Sequence, residues 1–151
     1  MIKIICIGKL KEKYWHDACS EYLKRLKKYT NIELIELEDD KVDDKNHALE
    51  TEKLKINKYL TDKDYLVTLE IEGKQLDSIE LSEKLNWMQM QGRNIVFLIG
   101  GSYGIHNDIK LKSDLHLSFS KLTFPHQLFR VLLLEQLYRS YKILNHERYH
   151  K

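Results

Sequence analysis

Apolar residues along this chain are concentrated in short segments that alternate with longer segments of helical spacing. The short segments predict strands of a mostly buried sheet, and the run at 95–99, which has no polar residue, is typical of a strand covered on both faces. The short segments lie at residues 2–7, 32–37, 65–71, 95–99 and 116–120. The segments with helical spacing lie at residues 13–29, around Leu49 to Leu60, from Asp77 to Gly92, at 107–112 and at 125–144.

Local signals at the helix ends support this assignment. Asp77 and Glu80 have the spacing of a capping pair, and Gly92 provides a stop for the same helix. Pro125 suits the first turn of the last helix, where its missing amide costs nothing. The alternation predicts an α/β fold, a single domain over residues 1–151 with a mostly parallel sheet and helices on both faces.

The composition is that of an ordinary folded protein. The 151 residues include 42% hydrophobic and 32% charged side chains, which favours one packed domain over a disordered chain. The longest aliphatic and aromatic run, at 95–99, is far shorter than the ~20 residues that span a bilayer, so no membrane association is expected. Cys6 and Cys19 fit reduced core cysteines better than a disulfide framework. We therefore expect a cytoplasmic protein.

The charge is unevenly distributed. Residues 119–151 carry a net charge of +4 and residues 1–118 a net charge of −2. The basic end would attract a phosphate-rich partner, although many solvated helices show as much charge. The acidic run at 38–46 fits a solvated loop better than a metal site, because nothing in it enforces a ligand geometry. No metal is expected.

A glycine-rich loop follows the fourth predicted strand. Gly100, Gly101 and Gly104 leave backbone amides free to approach a ligand, and a second loop of small polar residues precedes Pro125. The loop lacks the G-x-G-x-x-G and Walker patterns, so NAD and P-loop sites lose support. A conventional Rossmann methyltransferase would place its glycines after the first strand, where only Gly8 stands. The two loops predict one ligand pocket.

Several stretches of the sequence resemble a single family. FLIGG at 97–101, LSFSKLTFPHQ at 117–127, RVLLLEQLYR at 130–139 and the terminal YHK resemble the RlmH (YbeA-like) family of SPOUT methyltransferases. The resemblance extends to residues 9–15 and 67–74. It implies a C-terminal trefoil knot, S-adenosylmethionine as cofactor, and a homodimer that methylates N3 of a pseudouridine in bacterial 23S rRNA.

The resemblance also implies a cofactor pocket built from loops. Taken singly, each of its residues has a structural explanation as core, turn or helix cap, whereas together on successive loops they favour a pocket. The residues are Leu69, Gly100, Phe119, Ser120, Lys121, Leu122, Thr123 and Phe124.

Methyl transfer from a sulfonium depends more on alignment than on acid or base side chains. Pseudouridine N3 must still lose its proton, and His126, at a helix N-terminus beside the cofactor loop, is the nearest candidate base. A purely positioning role for His126 fits the sequence equally well. Arg130 and Arg139 are predicted to contact phosphate or a partner subunit.

The C-terminal tail receives a role only from the resemblance. From its composition alone, the tail would be interpreted as a poorly ordered chain end. In the family the tail of one protomer contributes to the other protomer's active site. Tyr149 is then a candidate catalytic and base-stacking residue, and His150 and Lys151 are candidate substrate-binding residues.

The last helix is apolar almost all round, which predicts burial on more than one side. A homodimer through residues 128–141 would cover it, because large exposed apolar patches are rare on monomers. A helix buried within one monomer would show the same pattern.

The combined prediction is an S-adenosylmethionine-dependent methyltransferase that modifies pseudouridine N3 in 23S rRNA. Without an appended RNA-binding domain, it is expected to recognise a composite surface on the assembled ribosome. The alternative from another class is a non-catalytic α/β module that binds a nucleotide or RNA through the same loops.

Overall fold

A computed structural model describes residues 1–151 as five strands and five helices. The strands are β1 (Ile2–Ile7), β2 (Ile32–Leu37), β3 (Tyr65–Gln75), β4 (Ile95–Ile99) and β5 (Leu115–Ser118). The helices are α1 (Lys13–Leu26), α2 (Lys45–Asn57), α3 (Ser78–Met90), α4 (Asn107–Lys112) and α5 (His126–Leu144).

All five strands form one parallel sheet in the order β2-β1-β4-β3-β5. The central pairs are in simple register, with Ile4 opposite Phe97 and Val67 opposite the same residue. The predicted α/β class with a parallel sheet is confirmed. The trefoil knot that the resemblance implies stays a prediction.

The sheet separates two hydrophobic cores, because neighbouring residues of a strand point to opposite faces. Ile4 and Phe97 belong to a cluster of 19 buried residues that includes side chains of α1, α3 and α5. Ile5 and Leu98 belong to a cluster of 10 that includes side chains of α2 and α4. Helices therefore cover both faces, as predicted.

The helix ends agree with the capping signals in the sequence. The Asp77 carboxylate accepts a hydrogen bond from the Glu80 amide, and the Glu80 carboxylate accepts one from the Asp77 amide, each at 2.8 Å. Gly92 follows α3 with a φ of 67°, a conformation that favours glycine. Pro125 is the N-cap of α5, which begins at His126, one residue later than predicted. The reciprocal pair satisfies two amides that a helix start otherwise leaves free.

Several predicted boundaries were wrong. Helix α1 ends at Leu26 rather than 29, because Tyr29 and Thr30 turn back and donate to the Leu26 carbonyl. Helix α2 ends at Asn57, before Leu60. Strand β3 continues to Gln75 because it meets β5 a second time, and β5 ends at Ser118, before the predicted 120.

Helix α5 is covered on most sides by its own chain. It packs against α1 and α3, and no residue of the helix is fully exposed. Its buried side chains include Leu133, Leu134, Leu137 and Tyr141. Burial within one chain therefore explains much of the all-round apolar pattern. Leu128 and Leu132, which are half-buried, belong to neither core cluster.

Both cysteines are free and buried, which confirms the prediction of core thiols. No helix combines the length and the apolar character needed to cross a membrane. No three His, Cys, Asp or Glu side chains are grouped so that they could hold a metal ion.

Candidate active site

A pocket of about 470 Å³ lies at the carboxyl ends of β3, β4 and β5. This volume is within the usual range for small-molecule sites, and parallel sheets bind ligands at this edge. Seven of the eight residues predicted to bind a cofactor line it: Leu69, Gly100, Phe119, Ser120, Leu122, Thr123 and Phe124. The eighth, Lys121, is exposed and is not part of the lining.

The glycine loop after β4 is a tight turn that folds onto itself. The Gly104 amide donates to the Gly101 carbonyl at 3.0 Å, and Gly104 has a φ of 82°. A Cβ at Gly100 would lie 2.6 Å from the Gly104 carbonyl oxygen. Gly100 is therefore required by the turn itself, and a side chain there would disturb the loop before it met a ligand.

The second wall is formed where β3 leaves the ladder. Leu69 pairs with Leu117, and Lys74 pairs with Leu117 again, so residues 70–73 bulge out of the sheet. Gly73 makes this possible, since a Cβ there would lie 2.8 Å from the backbone of His116 and Leu117. The bulge turns Glu70 and its neighbours towards the pocket.

The third wall is the loop between β5 and α5. The Ser120 hydroxyl accepts a hydrogen bond from the Leu122 amide at 3.0 Å, which holds the turn. Phe129 lies between two other rings, with its centroid 5.0 Å from that of Phe119 and 6.4 Å from that of Phe124. These three phenylalanines give the pocket an aromatic side.

His126 lines the pocket at the first turn of α5. Burial lowers the pKa of His126, and Arg130 acts in the same direction, whereas Asp39 opposes them. The shift disfavours the cationic imidazole, which is the direction that the sequence predicted, although burial is its main cause here.

The pocket wall also carries a polar group that was not predicted from the sequence. Glu70 accepts a hydrogen bond from the Thr68 hydroxyl at 2.6 Å, contacts His116, and pairs with Lys110 at 3.5 Å. Partial burial acts to raise the pKa of Glu70, but the hydrogen bonds from Thr68 and His116 and the charges of His116 and Lys110 outweigh it and hold this pKa below its usual value. In the sequence, this role was indicated by the position of Glu70 directly after Leu69, a predicted pocket residue.

Arg130 does not lie where a phosphate contact requires it. Its side chain is 3% exposed, and its guanidinium donates to Glu36 at 2.6 Å and to the Gly8 carbonyl at 3.0 Å. The prediction that Arg130 binds substrate was wrong for this arrangement of the chain. A buried and paired arginine holds elements together instead of reaching solvent.

Arg139 lies with the C-terminal tail, away from the pocket. It pairs with Glu135 at 2.5 Å, lies over the Tyr149 ring at 4.7 Å and approaches His150 at 3.2 Å. Arg139 lies ten positions along α5 from Phe129, the nearest pocket residue of that helix, which corresponds to about 15 Å. Lys151 is exposed. Within one chain the tail therefore does not reach the pocket.

The tail is nevertheless held in place. The Glu147 carboxylate accepts hydrogen bonds from Lys142 and from the Tyr29 hydroxyl, both at 2.8 Å. These bonds lower the pKa of Glu147 to about 2. Burial, the Glu135 charge and neighbouring Tyr22 raise the pKa of Tyr149 to about 12. The Tyr149 phenol is therefore protonated at neutral pH and cannot act as a base in this position.

Comparison with known proteins identifies the family. The family model described as "Predicted SPOUT methyltransferase" matches residues 1–150. A protein of Methanococcus vannielii named "Putative ribosomal RNA large subunit methyltransferase H" is 51% identical over 157 aligned positions, which cover 99% of each chain. The chain belongs to the RlmH-like SPOUT methyltransferases.

Other members and relatives of this SPOUT methyltransferase agree. A protein of the same name from Methanococcus maripaludis is 47% identical, again over 99% of both chains. The solved structure of "a probable methylase family protein" from Haemophilus influenzae superposes with a TM-score of 0.58 at 16% identity, covering 99% of this chain and 70% of that one. At this identity the likeness concerns the fold alone. SPOUT methyltransferases use S-adenosylmethionine.

Proposed function

We propose that this SPOUT methyltransferase transfers a methyl group from S-adenosylmethionine to N3 of a pseudouridine in large-subunit (23S) rRNA, on the assembled ribosome. Two relatives are named as ribosomal RNA large subunit methyltransferases, which supports large-subunit rRNA as the substrate. The choice of pseudouridine and of its N3 atom is inferred from the resemblance to the RlmH family described above. With a ribosomal substrate, the reaction would take place in the cytoplasm.

The observation that carries this proposal is the single pocket formed by three loops at the ends of β3, β4 and β5. Its residues fit S-adenosylmethionine. The phenylalanines at 119, 124 and 129 offer an apolar, aromatic wall suited to an adenine ring. The backbone around Gly100 and the polar side chains opposite offer hydrogen-bonding groups for the rest of the molecule.

Methyl transfer from S-adenosylmethionine needs little acid or base catalysis from side chains. When bound, the cofactor supplies an electrophilic methyl group, so that the bond from sulfur to this carbon breaks as the bond from N3 forms. The loops of the chain align the two atoms. Neutral His126, which faces the pocket, is placed to accept the N3 proton or to orient the uracil ring.

The protein acts as a homodimer in this proposal. Tyr149 lies against Tyr138 and Arg139, several helical turns from the pocket of its own chain. The tail can complete a site only if it belongs to a second copy. The half-buried Leu128 and Leu132 lie on the same helix and provide apolar surface for that contact. Arg139, Tyr149, His150 and Lys151 would then meet RNA beside the partner's pocket.

Methyl incorporation tests the proposal. Ribosomes from cells that lack the protein are incubated with purified protein and S-adenosylmethionine carrying a labelled methyl group. We expect label in the large-subunit RNA and none in the small-subunit RNA. Binding of cofactor and RNA without transfer would instead support a non-catalytic module.

A further inference from the structure

A carboxylate and an ammonium face each other on the wall of the pocket. Glu70 lies in the bulge of β3 and Lys110 lies on α4, and both line the pocket. The Lys110 Nζ atom is 3.5 Å from Glu70 Oε1. Neither residue belongs to the set that the family resemblance assigns to the cofactor.

The two oxygens of Glu70 have different partners. Oε2 accepts a hydrogen bond from the Thr68 hydroxyl at 2.6 Å and also contacts His116. Oε1 has only the Lys110 ammonium, at a distance longer than a good charge-assisted hydrogen bond. Because a carboxylate oxygen has two lone pairs, Oε1 can accept hydrogen bonds from a ligand while Oε2 fixes the side chain.

Lys110 is the less restrained member of the pair. Its side chain is 38% exposed, compared with 15% for Glu70. An ammonium has three donors, and the loose contact with Glu70 uses at most one of them. A carboxylate and an ammonium side by side are complementary to a zwitterion, which presents an ammonium to one and a carboxylate to the other.

We propose that Glu70 and Lys110 bind the amino-acid end of S-adenosylmethionine. Glu70 Oε1 accepts from the α-ammonium, and Lys110 donates to the α-carboxylate. The aromatic wall on the far side of the pocket is left for the adenosine. This inference rests on the proposed function, because it concerns the orientation of the cofactor in the same pocket.

Calorimetry with three ligands tests the assignment. S-adenosylhomocysteine has both charged groups, decarboxylated S-adenosylmethionine has the ammonium alone, and 5′-methylthioadenosine has neither. We expect Glu70→Gln to weaken the first two about tenfold or more and to leave the third within twofold. We expect Lys110→Met to weaken S-adenosylhomocysteine alone.

Glu83→Gln is the control, because Glu83 is an exposed carboxylate of α3 that does not line the pocket and has no ion pair. All three affinities should be unchanged in it. Equal loss of all three ligands in Glu70→Gln would overturn the inference and point to the ribose or to the loop structure. No loss in either variant would overturn it as well.

Thermal unfolding of each variant shows whether it is folded, so that a loss of affinity can be distinguished from a loss of structure. Should Glu70→Gln not fold, Lys110→Met carries the test, since Lys110 has no other ion pair. Failure of the wild-type protein to bind any of the three ligands would contradict the proposed function itself, a result distinct from unaltered ligand preference in the two variants.

Discussion

The Arg130 guanidinium lies 2.6 Å from the Glu36 carboxylate, and this contact joins α5 to β2 across 94 residues of sequence. The same guanidinium donates to the Gly8 carbonyl, and Glu36 also accepts from the Leu10 amide at 3.1 Å. The pair therefore fixes the loop after β1 against the helix that carries His126. Cys6 lies beside it, and burial raises the pKa of the Cys6 thiol to about 12.

Removing Arg130 should destabilise the protein. Arg130→Ala leaves Glu36 without its partner, and because Glu36 is partly exposed we expect a loss of about 3 kcal/mol in the free energy of unfolding, the lower end for a buried pair. Urea denaturation measures it. Arg25→Ala is the control, because Arg25 pairs with Glu21 on the surface, and it should cost less than about 1 kcal/mol. Similar effects of the two substitutions would contradict a structural role for Arg130.

Gly73 should tolerate no side chain. In Gly73→Ala the new Cβ would lie 2.8 Å from the backbone of β5, so the strand must move and the pocket must change shape. We expect both thermal stability and affinity for S-adenosylhomocysteine to fall. Gly92→Ala, where only the φ of 67° is unfavourable, should cost roughly 1–2 kcal/mol and leave affinity unchanged.

Gly100 should behave like Gly73 rather than like a simple ligand contact. Its hydrogen atoms face the backbone of Gly104, so Gly100→Ala is expected to lower stability together with cofactor affinity. A variant of normal stability that binds no cofactor would show instead that Gly100 contacts the ligand directly.

The pH dependence of methyl transfer tests His126. If the neutral imidazole accepts the N3 proton, activity falls as the pH drops through the pKa of His126. Because burial lowers that pKa, the loss should begin below the ordinary value of about 6.5. His126→Asn should remove this acidic limb while cofactor affinity stays close to wild type. An unchanged profile in the variant would leave His126 with a positioning role.

Much of this architecture follows from the sequence, because its signals are local. Segments rich in apolar residues marked β1, β2 and β4 at their observed limits, and Asp77 with Glu80 marked the start of α3. The extension of β3 to Gln75 was not predictable in this way, since it depends on a second pairing with β5. The pattern of residues along β3 does not show which residues of β5 it pairs with.

The site was predictable only in part, for a related reason. Loop residues such as Leu69 and Phe124 could be placed together because successive parallel strands end at one edge. Arg130 was misassigned because a single arginine on an apolar helix has the same pattern whether it meets phosphate or a buried carboxylate. Glu70 was missed because its partners come from β3, α4 and β5, and only the fold brings them together.

The tail should be dispensable for the cofactor and essential for RNA. Tyr149 packs on Tyr138 and Arg139, about 15 Å along α5 from the pocket residue Phe129, so deletion of residues 149–151 should preserve dimer mass and cofactor affinity. Methylation of ribosomes should collapse. Tyr149→Ala should reproduce much of the loss if base stacking is worth ~1–3 kcal/mol. Normal methylation by the shortened protein would show that the tail has no role in substrate binding.

Mapping the methyl group on the RNA tests the proposed activity of this SPOUT methyltransferase most closely. Ribosomes from cells lacking the protein are treated with the purified protein and S-adenosylmethionine, and the large-subunit RNA is digested and analysed by mass spectrometry. We expect one added methyl group, at N3 of a pseudouridine, and less of it when the Gly73→Ala protein is used. A methyl group on a different kind of nucleotide, or none on any RNA, would contradict it.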